Sequence, residues 1–147
     1  LPIIGGMSQR INLARFTRPL GTMVQSGMSI DDAIKITKAV LTNDQYSKMF
    51  ETLEAEIKQG NTITSVLERY KHLVPAMAVN MIYVGEQAGT LDQMFLYLAN
   101  FYETEVDELT ANLSVIMEPI LLIFIGFMVG GLALAVIMPI YQVVGSF

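Results

Sequence analysis

From Pro119 to Phe147 the chain carries no charged residue. The stretch Pro119 to Met138, PILLIFIGFMVGGLALAVIM, is apolar or small on every side. As a helix it is about 30 Å long, the thickness of a bilayer's hydrocarbon core. A helix buried in a soluble domain is the competing reading, but here no polar face survives. The stretch is read as a transmembrane helix. Its C-terminal place, with no cleavage pattern and new domain after it, argues against a signal peptide.

The rest of the composition fits one domain and one span. Of 147 residues, 16% are charged, against about 25% in an ordinary soluble domain. There is no cysteine, which excludes a disulfide framework, a thiol nucleophile and a cysteine-ligated metal. The single histidine, His72, excludes a multi-histidine site. It sits beside Lys71 and is read as a surface loop residue. No phosphate-binding glycine loop and no nucleophile–base set occurs, so neither an enzyme nor a cofactor is expected. The first residue is Leu1, so the chain reads as a piece of a longer protein.

Charge is unevenly placed. All nine Lys and Arg lie in residues 1–71, while 72–147 hold seven acids and no Lys or Arg. No basic stripe interleaved with aromatics is present, so nucleic acid is not an expected partner. With no cation flanking the span, the positive-inside rule gives no orientation. The short uncharged tail 141–147 crosses a bilayer easily, which leaves the charged part in the cytoplasm and the tail outside.

Residues before Glu118 read as helices separated by short turns, with no sustained period-2 alternation. The turn signals are Ser26-Gly27-Met28-Ser29, Thr42-Asn43-Asp44-Gln45, Gln59-Gly60-Asn61-Thr62, Val74-Pro75 and Ala88-Gly89-Thr90. Ser29 is expected to cap one helix, Thr42 with Gln45 a second, and Thr90 with Gln93 a third. Pro75 suits a first helical position. The expected helices are 8–26, 30–41, 43–58, 62–70, 75–87 and 90–117. The fold class is all-α: a six-helix antiparallel bundle over 8–117, continuing into a transmembrane helix over 118–140, with 1–7 as a stub. Pro19 inside the first helix predicts a kink or a restart, and Pro119 a bend. Met23, Met28, Met77, Met81 and Met94 are expected in the core. Gly27–Ile34 and Gly60–Leu67 look alike, but shared helix-start chemistry explains the match better than a helical repeat.

Several segments in order resemble a known family. They are Ala14-Arg15-Phe16-Thr17-Arg18-Pro19-Leu20-Gly21, Ser26-Gly27-Met28-Ser29-Ile30, Val84-Gly85-Glu86-Gln87-Ala88-Gly89-Thr90-Leu91 and Leu98 to Val106. Glu118-Pro119, Gly126, Gly130 and Met138-Pro139-Ile140-Tyr141-Gln142 follow. The order resembles the inner-membrane platform proteins of type II secretion and type IV pilus machines, over nearly the whole chain. The resemblance implies the second of two cytoplasmic helical domains and the last membrane span. It implies a non-enzymatic scaffold in the bacterial inner membrane, forming a homo-oligomer. A cytoplasmic hexameric ATPase, pilin or pseudopilin subunits and other inner-membrane components of the machine are the implied partners. Pro19 departs from the hydroxyl-bearing residue that the family pattern has there.

Within that frame, Glu103, Glu105, Asp107 and Glu108 form an acidic cluster. It is read as a solvated face; a basic surface on the ATPase or on the 1–71 half of a neighbouring copy is an alternative, and a hard-cation site another. Glu86 is expected to pair with Arg15 or Arg18, with partner contact as the other reading. Gly85 and Gly89 are expected to end a helix and admit a close backbone. Gly126-x-x-x-Gly130 suits helix packing in a membrane, and Glu118 marks the membrane edge. The competing functions are a tail-anchored adaptor for a soluble client and a channel subunit. The channel needs polar residues on the span, and none occurs between Pro119 and Met138.

Overall fold

Leu13, Phe16 and Leu20 recur on one side of the first helix, and that side is buried. They open an all-helical fold, seen in a computed structural model that describes residues 2–145, with side chains from residue 5. The order is α1 (Pro2–Gln25), α2 (Ile30–Val40), α3 (Asp44–Lys58), α4 (Ile63–Leu67), a 3₁₀ turn (Glu68–Tyr70), α5 (Ala76–Ala88) and α6 (Leu91–Gly145). Among the described residues there is no strand.

The turns follow from local chemistry. Gly27 (φ +99°), Gly60 (φ +89°) and Gly89 (φ +71°) all take the left-handed conformation that glycine adopts at least cost. Ser29 accepts from the Asp32 amide and so opens α2. α3 is capped by Asn43, which accepts from the Gln45 and Tyr46 amides at 2.9 and 3.3 Å, rather than by Thr42. Both residues have capping chemistry, and the chain uses the later one. Pro75 stands just outside α5 in extended conformation, not at its first helical position. α4 lasts five residues before tightening into the 3₁₀ turn, so the single helix expected over 62–70 is two pieces.

The helices bury one continuous apolar cluster. Phe16 packs edge-on to Phe50, ring centroids 5.3 Å apart, a favoured aromatic geometry. Ile34, Met49, Val66, Ile82, Phe95 and Leu98 close around them. Tyr46 brings a hydroxyl inside and satisfies it on the Leu73 carbonyl at 2.8 Å. Lys38 of α2 reaches Glu54 of α3 at 2.6 Å. Of the methionines expected inside, Met23, Met28 and Met81 pack partly buried on the core, Met94 is half-buried and Met77 is exposed. Met77 is the second residue of α5, on the side opposite to the buried Ala78, Val79 and Ile82.

α1 passes through Pro19 without restarting and begins at Pro2, so residues 2–7 are helical and continuous with it. Leu1, Ser146 and Phe147 lie outside the described residues.

The chain divides into two compact units, residues 2–107 and 108–145. The first holds α1–α5 and the start of α6. The second is the rest of α6. It contains a stretch long and apolar enough to cross a membrane, none of it buried within the chain.

Candidate interaction surface

α1 carries Arg10, Arg15 and Arg18 and no acid, whereas Glu103, Glu105, Asp107 and Glu108 of α6 have no cation near them in sequence. The two helices run antiparallel. Gly21 lies against Leu96, Arg18 meets Asn100 and Glu103, and Arg10 meets Glu105. The approach is close at Gly21. A Cβ there would stand 2.8 Å from the Leu96 Cγ and 3.0 Å from its backbone nitrogen.

Arg18 grips Glu103 with both arms of its guanidinium. Nε donates to one carboxylate oxygen at 2.9 Å and Nη2 to the other at 2.6 Å. Nη2 also donates to the Asn100 side-chain oxygen at 2.7 Å. These hydrogen bonds hold the Glu103 carboxyl below the ordinary carboxylate range and raise the Arg18 guanidinium. Arg10 Nε lies 3.3 Å from a Glu105 oxygen. Both pairs are more than a third exposed on at least one side, so each contributes about 0.2–1 kcal/mol. Arg15 turns elsewhere and donates to the Thr42 hydroxyl at 3.3 Å.

The acidic cluster is therefore split. Glu103 and Glu105 are tied to α1. Asp107 and Glu108 are exposed and, among the described residues, make no ion pair. Among those residues no group of three potential ligands is placed to hold a metal ion. Beside the Arg18 tie lies a shallow groove of about 380 Å³, with Ile11, Ala14, Pro19 and Val106 as its apolar lining and Arg15 and Asp107 at its edges.

Glu86 does not pair with Arg15 or Arg18. Its carboxylate accepts from the Ile63 amide at 2.8 Å, from the Thr64 amide at 2.9 Å and from the Thr64 hydroxyl. The first amides of a helix have no partner inside it and sit at the positive end of its dipole. A carboxylate from α5 answers both needs. Thr62 accepts from the next amide, Ser65, at 3.2 Å. The two arginines expected for Glu86 are occupied at Glu103 and Thr42.

The neighbouring glycines have separate tasks. A Cβ on Gly85 would stand 2.8 Å from Met94 Cγ and 3.2 Å from the Leu91 Cα, so Gly85 admits the first turn of α6. Gly89 ends α5, and the Thr90 amide returns to the Gly85 carbonyl at 2.9 Å.

In the second unit, Gly126, Gly130 and Gly131 form a notch flanked by Ile123, Phe127 and Leu134. A Cβ at any of the three would meet nothing within 4 Å. Glu118 is exposed, one residue before Pro119.

Arg10, Gly21 and Asn100 were not assigned roles from sequence, and Thr42 was expected only as a helix cap, not as the acceptor of Arg15. The signal that finds Arg10 is the pairing of an acid-free α1 with a cation-free acidic run. Gly21 has only its place in a motif to mark it.

Residues 16–139 match the family described as Type II secretion system (T2SS), protein F. The chain belongs to this family. The match to the secretion F family begins at the core residue Phe16 and ends at Pro139, so the Arg10–Glu105 tie has one foot outside it. Among secretion F relatives, the chain is 34% identical over 146 residues to the Type IV pilus assembly protein PilC of Thermus thermophilus, covering 99% of this chain and 36% of that protein. It is 36% identical over 146 residues to the PilC of Myxococcus xanthus, covering 99% and 35%. It is 31% identical over 143 residues to the Type II secretion system protein F of Vibrio cholerae, covering 97% and 35%. The chain thus spans about a third of the length of these secretion F relatives.

Proposed function

We propose that this chain is the second cytoplasmic bundle and the last membrane span of an inner-membrane platform subunit, in a type IV pilus or type II secretion machine. The observation that carries the reading is α6 itself. One helix holds part of a packed bundle and an uncharged apolar stretch long enough to span a bilayer, in a chain of the secretion F family. In this reading the bundle lies in the cytoplasm and the C-terminal tail outside. The protein acts without catalysis, as a scaffold. It passes the motion of a hexameric ATPase to pilin or pseudopilin subunits leaving the membrane, beside other inner-membrane components and further copies of itself. Asp107 and Glu108, which α1 leaves unpaired, are the acids available to a basic surface of the ATPase.

A span replacement tests this against a tail-anchored adaptor. Residues 118–140 of the full-length protein are exchanged for an unrelated apolar span. A platform loses pilus assembly or secretion although the protein still inserts and accumulates. Retained function would make the span a mere anchor. A photocrosslinker at Asp107 tests the motor contact without disturbing the Arg18–Glu103 tie. Capture of the ATPase supports it, and capture of another copy alone moves the motor contact elsewhere.

A further inference from the structure

Between α1 and the turn from α2 into α3 runs a groove of about 460 Å³. Met7 and Ile11 give it an apolar wall, and Asn12, Arg15 and Thr42 line it with polar groups. All of these residues belong to the bundle, so the groove is independent of the membrane-spanning reading.

Asn12 sets this groove apart. It is polar and yet only 5% exposed. Its amide nitrogen is used within its own helix, donating to the Ser8 carbonyl at 2.8 Å. Among the described residues its Oδ1 accepts no hydrogen bond. Among those same residues, the one side-chain nitrogen or oxygen that is sealed from solvent without a partner is the Thr37 hydroxyl. Asn12 Oδ1 therefore keeps an opening, and the groove is the cavity that Asn12 lines. A buried carbonyl oxygen facing a cavity calls for a donor inside it.

Arg15 stands at the i+3 position, where helix side chains are neighbours. It is exposed, and its Nη1 donates to the Thr42 hydroxyl at 3.3 Å. Among the described residues its Nε and Nη2 have no acceptor. The groove thus offers an acceptor and donors side by side, next to an apolar wall. An anion only accepts, and would leave Asn12 Oδ1 facing another oxygen. A water satisfies Asn12 but leaves Met7 and Ile11 uncovered. An extended peptide residue meets all three demands, because its N–H and C=O point to the same side and it carries a side chain.

We propose that this groove binds an extended peptide segment. One residue of the segment donates its N–H to Asn12 Oδ1 and accepts from Arg15 at its C=O, while an apolar side chain lies on Met7 and Ile11. At Ile11 and Arg15 the groove meets the one beside the Arg18 tie, which gives the segment a continuous path across α1.

The test uses full-length protein in detergent with carbon-13 methyl-labelled methionine, the Met7 signal being identified by Met7→Leu. The probe is N-acetyl-leucinamide, an apolar side chain between two amide groups. Its titration is expected to shift the Met7 signal saturably, with a Kd in the millimolar range for so small a ligand. Arg15→Gln should weaken binding several-fold while the signal of Met81, packed on the core, reports an unchanged fold. A probe methylated on the leucine nitrogen lacks the N–H and should also bind several-fold more weakly. No saturable shift, equal binding by Arg15→Gln or by the methylated probe, or an equal shift with sodium acetate would each overturn the proposal. A photocrosslinker at Ser8, exposed on the groove, reads the source of the segment in native membranes. A link within the polypeptide assigns it to the same protein and a heavier adduct to a separate one, and either link should fade in excess N-acetyl-leucinamide. The absence of any link, or a link that persists in excess probe, would also overturn the proposal.

Discussion

Arg18 closes on Glu103 across the antiparallel α1–α6 pair through two hydrogen bonds, 2.6 and 2.9 Å long. The pair joins residues 85 positions apart and takes the first acid of what sequence presents as an open cluster. Because Arg18 depresses Glu103, folding keeps this carboxylate charged where the unfolded chain has already taken up a proton. Its contribution is complete above the ordinary carboxylate range and is lost as pH falls through the lowered value. Glu103→Gln should therefore cost about 0.2–1 kcal/mol at pH 7. The gap to wild type should close in acid and shrink in high salt. Urea midpoints in detergent, followed by tyrosine fluorescence, would check this; a gap that widens in acid would contradict it.

Glu86→Ala leaves the Ile63 and Thr64 amides and the Thr64 hydroxyl without their acceptor. The expected cost is about 1–3 kcal/mol, the penalty for stranding buried polar groups. Glu86→Gln should recover part of it. If Glu86 is independent of the α1 arginines, the losses from Glu86→Ala and Arg18→Ala add within about 0.5 kcal/mol in a double-mutant cycle. A larger coupling energy would restore the direct pairing that sequence suggested.

Thr37 is buried, and among the described residues its hydroxyl has no hydrogen-bond partner. Thr37→Val keeps the branched shape and removes the stranded group. It should stabilise the bundle by about 1 kcal/mol, the lower part of the desolvation penalty for an unpaired hydroxyl. A thermal melt showing lower stability would mean the hydroxyl has a partner in solution.

Gly21→Ala should destabilise by about 1–3 kcal/mol, because its methyl group meets the Leu96 backbone as well as the side chain. Gly126→Ala meets nothing within the chain and should leave the melting temperature unchanged. If the notch packs against another membrane helix, Gly126→Ala should instead lower pilus assembly or secretion. Measuring melting and function for both variants separates packing inside the chain from packing outside it.

Burial raises the Tyr46 hydroxyl to about 12. The folded state thus holds this proton after the unfolded chain has lost it, and stability falls from about pH 10 up to the folded value. Tyr46→Phe should remove that part of the alkaline loss. At neutral pH it should cost about 1 kcal/mol, since the Leu73 carbonyl loses its donor. Unfolding curves at pH 8 and pH 11 decide the matter.

What could be read from sequence was whatever a few adjacent residues determine. The left-handed turns at Gly27, Gly60 and Gly89 and the cap at Ser29 are local, and the helix order follows from them. The missed features depend on which helices become neighbours. Glu86 serves amides more than twenty positions away, and its expected arginines have other partners. Thr42 and Asn43 both have capping chemistry, and only the path of the turn selects Asn43. Met77 has core composition but the wrong angle on its helix. The split in the acidic cluster was present as two complementary charge runs, and their register required the antiparallel packing of α1 on α6.

That packing also gives the bundle a direction of mechanical resistance. Force applied along α6 tries to slide it past α1, and the Gly21–Leu96 contact and the two arginine ties are then strained together, in shear. Force across the pair would open the same contacts one after another, as a zipper opens. The same three contacts thus share a load along the axis of the last helix and meet a load across it one at a time.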